Sequence, residues 1–422
     1  MSPIKAAIKS SEISSEFGST RRQFCAGGAV GLLGLLESVS SSASARSTAG
    51  GDIVIQAGVI LTASGPVIKN GVVIIRNGKI VAVGSGLHIP AGIHTVKAAV
   101  VMPGLIDPHS YLGCFYETSE PVDAVTPDFR IVDAFDPNDK AIARARRCGV
   151  TTAAIMPGNS SVLGGQAAIL SLGAATEIVD PAAGQKISAS SDAASADRNP
   201  TSRAGAVALL SEALRAATQG RAVSSTTQTF TLAGYPTSLS ERVAALRPLL
   251  QGRSRAFFHA PTGDDTEHAL QFVEAYRLKG TLIHSAEASL LAARIARARV
   301  PVVLSPLAFS DTDRVLANAG RLAAAGCSVA FCTDGPLADP ETLRLSAHIA
   351  VKYGLSRAAA LRALTLSGAE ALGIASRVGS IEPGKEADLV LLSGDPLDLT
   401  SRIEATIVAG HLVDRDRGGE DA

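Results

Sequence analysis

The stretch Val100-Val101-Met102-Pro103-Gly104-Leu105-Ile106-Asp107-Pro108-His109-Ser110-Tyr111 decides the fold. An apolar run breaks at Pro-Gly and resumes for a short piece that ends on Asp107 and His109. A brief apolar run bounded by a turn reads as a strand buried on both faces. Polar groups where such a strand stops are expected at the C-terminal mouth of a barrel, where strand ends converge on one cavity.

Upstream, residues 52–99 read as short strands, with Asn77-Gly78 between two apolar runs as a hairpin signal. The far end mirrors this: residues 403–413 form a second hairpin pattern around Ala409-Gly410. Between them, apolar strands at 151–156, 256–259, 280–284, 300–305 and 328–334 alternate with helical spacing at 139–147, 206–218, 265–277, 286–298, 311–325, 339–353 and 356–372. Such alternation argues a parallel sheet flanked by helices. Residues 173–203 are rich in Ala, Ser and Asp without a period and read as a surface excursion.

Composition narrows the function. The 422 residues carry 39 basic and 39 acidic side chains. Balance of this kind argues against nucleic acid or an acidic surface as partner and leaves a small-molecule substrate, with self-association open. Residues 1–45 read as a targeting segment. A mixed-charge start leads to Arg21-Arg22-Gln23-Phe24, a weakly apolar run over 26–36 too short to span a bilayer, and Ala43-Ser44-Ala45 as a cleavage site. The arrangement resembles a twin-arginine export signal. That implies a mature chain starting near Arg46, located in the periplasm or secreted, with no stable membrane anchor after cleavage. Of the five cysteines, Cys25 leaves with this segment, and no CxxC pair exists among the rest.

Four polar groups stand at the ends of separate apolar strands: His109, His259, His284 and Asp334. In a barrel they converge on one mouth, and histidines with a carboxylate suit a divalent first-row metal, zinc most simply.

The opening stretch resembles the PGLID-x-H-x-H signature of the amidohydrolase superfamily, in which both histidines bind metal. Here it reads PGLIDPHSY, so His109 is kept and Tyr111 stands where the second histidine would be. Phe-Phe-His259-Ala, Leu-Ile-His284-Ser and Cys332-Thr333-Asp334-Gly335-Pro336 resemble the superfamily's motifs of strands 5, 6 and 8. Residues 378–390 resemble its C-terminal signature. Met156 to Gln166, with Gly164-Gly165-Gln166, resembles the branch related to imidazolonepropionases.

The resemblance implies an α/β fold: a (β/α)8 TIM-like barrel over 103–375 beside a small β-sandwich made from 52–102 and 376–415. It implies metal ligands at His109, His259, His284 and Asp334. Asp334 is the expected proton acceptor, His284 a fourth ligand or proton shuttle, and Tyr111 a weak ligand or oxyanion donor. Many members carry a lysine after Gly-Gly-Gln whose carbamate bridges two metals. At that position this chain has Ser171, and its next lysine, Lys186, falls in the irregular segment. The site therefore reads as degenerate, with two replacements, and is expected to hold one divalent metal. The expected function is an exported hydrolase of carbon–nitrogen bonds, in amide or dipeptide-like substrates, working through a metal-activated water. The alternative is a barrel that has lost its metal and serves as a binding scaffold.

Overall fold

The computed structural model describes residues 52–89, 92–116, 118–219 and 242–415; the targeting segment expected over 1–45 lies outside them. Two sheets organise these residues. The first has seven strands in the order β15-β14-β13-β4-β1-β2-β3. β1 spans Ile53–Ile60, β2 Ile68–Arg76, β3 Lys79–Ser85 and β4 His94–Pro103. β13 spans Leu389–Leu392, β14 Ile403–Val408 and β15 His411–Arg415. Strands from both ends of the chain thus share one hydrogen-bonded sheet, where a sandwich was expected. Both predicted hairpin turns form, with positive φ at Asn77, Gly78, Ala409 and Gly410. The turns touch: a Cβ on Gly78 would lie 2.7 Å from the Ala409 carbonyl oxygen.

The second sheet has eight strands in sequence order. They are β5 (Leu105–Ser110), β6 (Val150–Ile155), β7 (Leu163–Leu172), β8 (Thr176–Ser188), β9 (Arg255–His259), β10 (Gly280–Ile283), β11 (Val302–Leu304) and β12 (Val329–Phe331). The Pro-Gly break is what passes the chain from β4 of one sheet to β5 of the other. Gly104 is required there, because a Cβ would sit 2.1 Å from the Thr151 hydroxyl of β6. The sheet nearly closes into a barrel: beyond the last strand, Asp334 N donates to the His109 carbonyl at 3.2 Å and Tyr111 N to the Gly335 carbonyl at 2.7 Å.

The barrel departs from a strict (β/α)8 plan. β7 pairs antiparallel with both β6 and β8, whereas β8 through β12 are parallel. The connections explain it. Only 156–162 and 173–175 separate these strands, and a parallel crossover needs a dozen or more residues. The stretch read as a surface excursion therefore contains a full barrel strand, β8. Its first half is exposed or half-buried and broken by Glu177, Asp180 and Pro181, and only 183–188 is continuously buried.

Side chains of alternate parity fill the barrel. Ile106, Ala154, Ile169, Phe257, Ile283, Val303 and Ala330 form the inner cluster. The opposite parity, including Phe258, Leu282 and Phe331, packs under the helices.

Candidate metal centre at the barrel mouth

His109 ends β5 fully buried. The β5–β6 register slips between Asp107 and Ser110, which lets the chain re-aim its side chains at the strand end. His259 ends β9 on the same parity as Phe257, so it points inward by simple alternation. His284 follows β10 on the parity of Leu282, which faces outward. A left-handed φ of 60° redirects it into the mouth. Asp334 follows β12 with φ 54°. Non-glycine residues held in this region carry strain that the surroundings must stabilise, and such strain concentrates at functional sites.

The geometry converges on one carboxylate oxygen. His109 Nδ1–H and His284 Nε2–H each donate to Asp334 Oδ1 at 2.8 Å. The Cys332 thiol lies 3.4 Å from the same atom. Ligand atoms of His109, His284, Cys332 and Asp334 all lie within 4.8 Å of one another. His259 stands beside this group: its Nδ1 faces His284 Nδ1 at 3.1 Å, and its Nε2 lies 2.6 Å from Asp192 Oδ2. Tyr111 packs the edge of its ring on His109, with centroids 5.1 Å apart.

Two sequence expectations are corrected here. Ser171 is not at the mouth. Because β7 runs antiparallel, Ser171 pairs with Thr152, toward the start of β6, while the mouth end of β6 at Ile155 faces Ala168. The lysine that looked displaced is in place. Lys186 is fully buried on β8, and its Nζ donates to His109 Nε2 at 2.8 Å. The inference of two replacements thus keeps only Tyr111. Gly184, one inward position earlier, leaves room for Phe257, whose ring a Cβ would meet at 2.5 Å.

Electrostatics follow from burial. Desolvation lowers Lys186 to about 7, so near neutrality a large share of it is uncharged amine. Burial, then Lys186 and His284, hold both His109 and His259 below the ordinary imidazole range. Burial alone would raise the Asp334 carboxyl, but the hydrogen bonds from His109 and His284 outweigh it and hold it low. Tyr111 is raised by burial and by Asp334 and stays a neutral phenol.

Asp107, which the sequence placed only as a motif residue, closes the barrel. It accepts from the backbone of His109 at 3.3 Å and of Thr333 at 3.1 Å, and from the Thr333 hydroxyl.

The donor set fits a cation. In the series Asp192, His259, His284, Asp334, each carboxylate can only accept, so each outer imidazole nitrogen needs a proton. The central nitrogen pair at 3.1 Å needs another. Three protons on two rings make one imidazolium, which burial disfavours in His259. A metal ion bound here would supply the missing positive charge. Two imidazoles and a carboxylate are a zinc-type set.

The fold and site define a class: an eight-stranded barrel with histidines and an aspartate gathered at its C-terminal mouth. Comparison with known proteins agrees with it. Residues 235–413 match the profile of the Amidohydrolase family. An amidohydrolase from Thermotoga maritima superposes with a TM-score of 0.74 at 27% identity, over 86% of this chain and 100% of that one. Amidohydrolase tasK of Hapsidospora irregularis is 25% identical over 72% of this chain and 35% of its own length. An imidazolonepropionase of Parabacteroides distasonis is 36% identical over 24% of each protein. The chain spans about a third or less of these curated relatives. It thus has amidohydrolase-superfamily homologues, imidazolonepropionases among them, and the fold of that superfamily's barrels.

Proposed function

We propose that this protein is an exported, metal-dependent hydrolase of carbon–nitrogen bonds in a small amide, cyclic amide or dipeptide-like substrate. One observation carries the reading: His109, His284 and Asp334 offer ligand atoms within 4.8 Å of one another at the barrel mouth. One divalent ion, zinc by donor type, would be held there, with His259 as a further ligand through Nδ1 and Lys186 beside it. When bound, the ion supplies Lewis acidity that makes water nucleophilic near neutral pH.

The chain's own groups do the rest. Asp334, kept ionised by its histidine donors, accepts the proton of the attacking water and returns it to the leaving nitrogen. Tyr111, kept neutral, donates a hydrogen bond to the oxyanion that develops on the carbonyl. Lys186 places its Nζ 2.8 Å from His109 Nε2, and its amine form can take up carbon dioxide as an anionic carbamate with release of a proton. A buried lysine on the inner wall counts against the scaffold alternative, since an unused buried amine costs stability with no return. Export through residues 1–45 belongs to the same proposal.

The test is metal content and turnover together. Purified protein from metal-replete expression is expected to carry one zinc per chain and to hydrolyse at least one member of a panel of cyclic amides, N-acyl amino acids and dipeptides. Asp334→Asn is expected to lower kcat by 100-fold or more, on the scale of removing a general base (roughly 10²–10⁴). A folded protein that stays metal-free and inert across the panel would sink the proposal.

A further inference from the structure

His259 is a buried ring with both nitrogens engaged, and the group on its outer nitrogen is not one the motifs mark. Asp192 lies on the short turn Ser191–Ala193 that follows β8, and its side chain is 52% exposed. The turn is built to hold it. Ser190 Oγ accepts from the Asp192 backbone N–H at 3.2 Å and lies 2.9 Å from Ser188 Oγ. Arg198 donates to the Ala193 carbonyl at 3.3 Å, to the Pro121 carbonyl at 2.8 Å and to the Ser160 carbonyl. The carboxylate is thus carried on backbone tied to two neighbouring mouth loops.

We infer that Asp192 is a positioning residue of the metal centre: by accepting the His259 Nε2–H at 2.6 Å it fixes that ring's tautomer and turns the lone pair of Nδ1 toward His284 and the site. The inference rests on the metal-site reading above. An ordinary surface ion pair would contribute little. Here the partner ring is only 5% exposed, so the pair is screened much less than one between two surface side chains. Carboxylates that accept the outer N–H of a ligating histidine hold ring orientation and raise ligand basicity, and losing one typically lowers metal affinity by about 10–100-fold. With a phenol at Tyr111, fewer imidazoles remain to share that loss.

The experiment measures Zn²⁺ and Co²⁺ affinity of the full chain by chelator competition, for the parent, Asp192→Ala, Asp192→Asn and the neighbouring-loop control Asp197→Ala. Asp192→Ala is expected to weaken binding by roughly 10–100-fold. Asp192→Asn, which keeps an acceptor oxygen, should recover most of the loss, and Asp197→Ala should match the parent. A metal-free readout accompanies it: ¹⁵N-histidine NMR, assigned with His259→Ala, should find His259 protonated on Nε2 in the parent and no longer biased to that form in Asp192→Ala. Affinity within twofold of the parent for Asp192→Ala, or a parent His259 without a proton on Nε2, overturns the inference. A parent that binds neither metal but shows the tautomer change would instead refute the metal site and leave the Asp192–His259 pair standing.

Discussion

Lys186 carries the largest single lesson at the scale of one residue. In the sequence it sits in Gly184-Gln185-Lys186-Ile187-Ser188, where polar neighbours outnumber apolar ones, so pattern reading sends it to the surface. In the barrel the same five residues alternate, with Ile187 under the helices and Lys186 facing the mouth. The available signal was that alternation together with the glycine. His109, His284 and Asp334 were legible because each ends an apolar run, whereas Asp192 was not, because its role depends on a partner 67 positions away. Burial leaves a testable mark on Lys186. Its folded value of about 7 lies below the unfolded one, so between about pH 7 and 10.5 the unfolded chain binds more protons and stability rises with pH. Below pH 7 both states are protonated and the full cost is present. Lys186→Met should therefore raise the stability of the metal-free protein at pH 7 by a few kcal/mol, at about 1.4 kcal/mol per pKa unit. It should also flatten the rise of stability between pH 7 and 9. Urea titrations of both proteins at pH 7, 8 and 9 measure this, and parallel slopes would show that the amine is not desolvated.

Among the elements, the decisive feature is the β6–β7–β8 segment. The sequence marks β6 as a strand but not β8, because Pro181 and the acidic residues Glu177 and Asp180 occupy its outer half. The barrel pays attention only to its inner half, where β8 pairs parallel with β9 from Gly184 to Ser188. Closing the barrel at the opposite side falls to Asp107. Deleting its carboxylate removes the acceptor for three donors, the His109 N–H on β5 and the N–H and hydroxyl of Thr333 just beyond β12. At about 1 kcal/mol net for each bond, with more for buried donors left unmet, Asp107→Ala should cost about 3–5 kcal/mol. Asp107→Asn should cost much less. Burial raises the Asp107 carboxyl to about 7, so a neutral amide of the same shape replaces a group that is already half protonated near neutrality. Thermal unfolding of the two variants decides it: equal losses would mean that charge, not hydrogen-bond acceptance, holds the barrel shut.

For the whole molecule, the mouth concentrates polar cost that the metal-free chain must bear. A buried lysine, strained His284 and Asp334, and two imidazoles whose facing nitrogens lie 3.1 Å apart crowd into one buried space. The surrounding barrel, the helices and the seven-stranded sheet supply the apolar burial that tolerates them. A ligand that binds only the folded state then stabilises the whole chain by mass action. Zinc at 100 times its dissociation constant should contribute about 2.7 kcal/mol. For a chain of this size that corresponds to a Tm rise of roughly 3 °C. The rise should be saturable, reversed by a chelator and absent with magnesium at equal concentration, since magnesium favours oxygen ligands in octahedral geometry. It should shrink as pH falls, because bound ligands must be deprotonated. His109→Ala removes one ligand and the partner of Lys186 together, so it should abolish the zinc-dependent rise while leaving the barrel folded. Differential scanning calorimetry across a zinc titration measures both proteins. A Tm in the parent that does not move with zinc would show that the cluster is a buried polar network with no affinity for a cation.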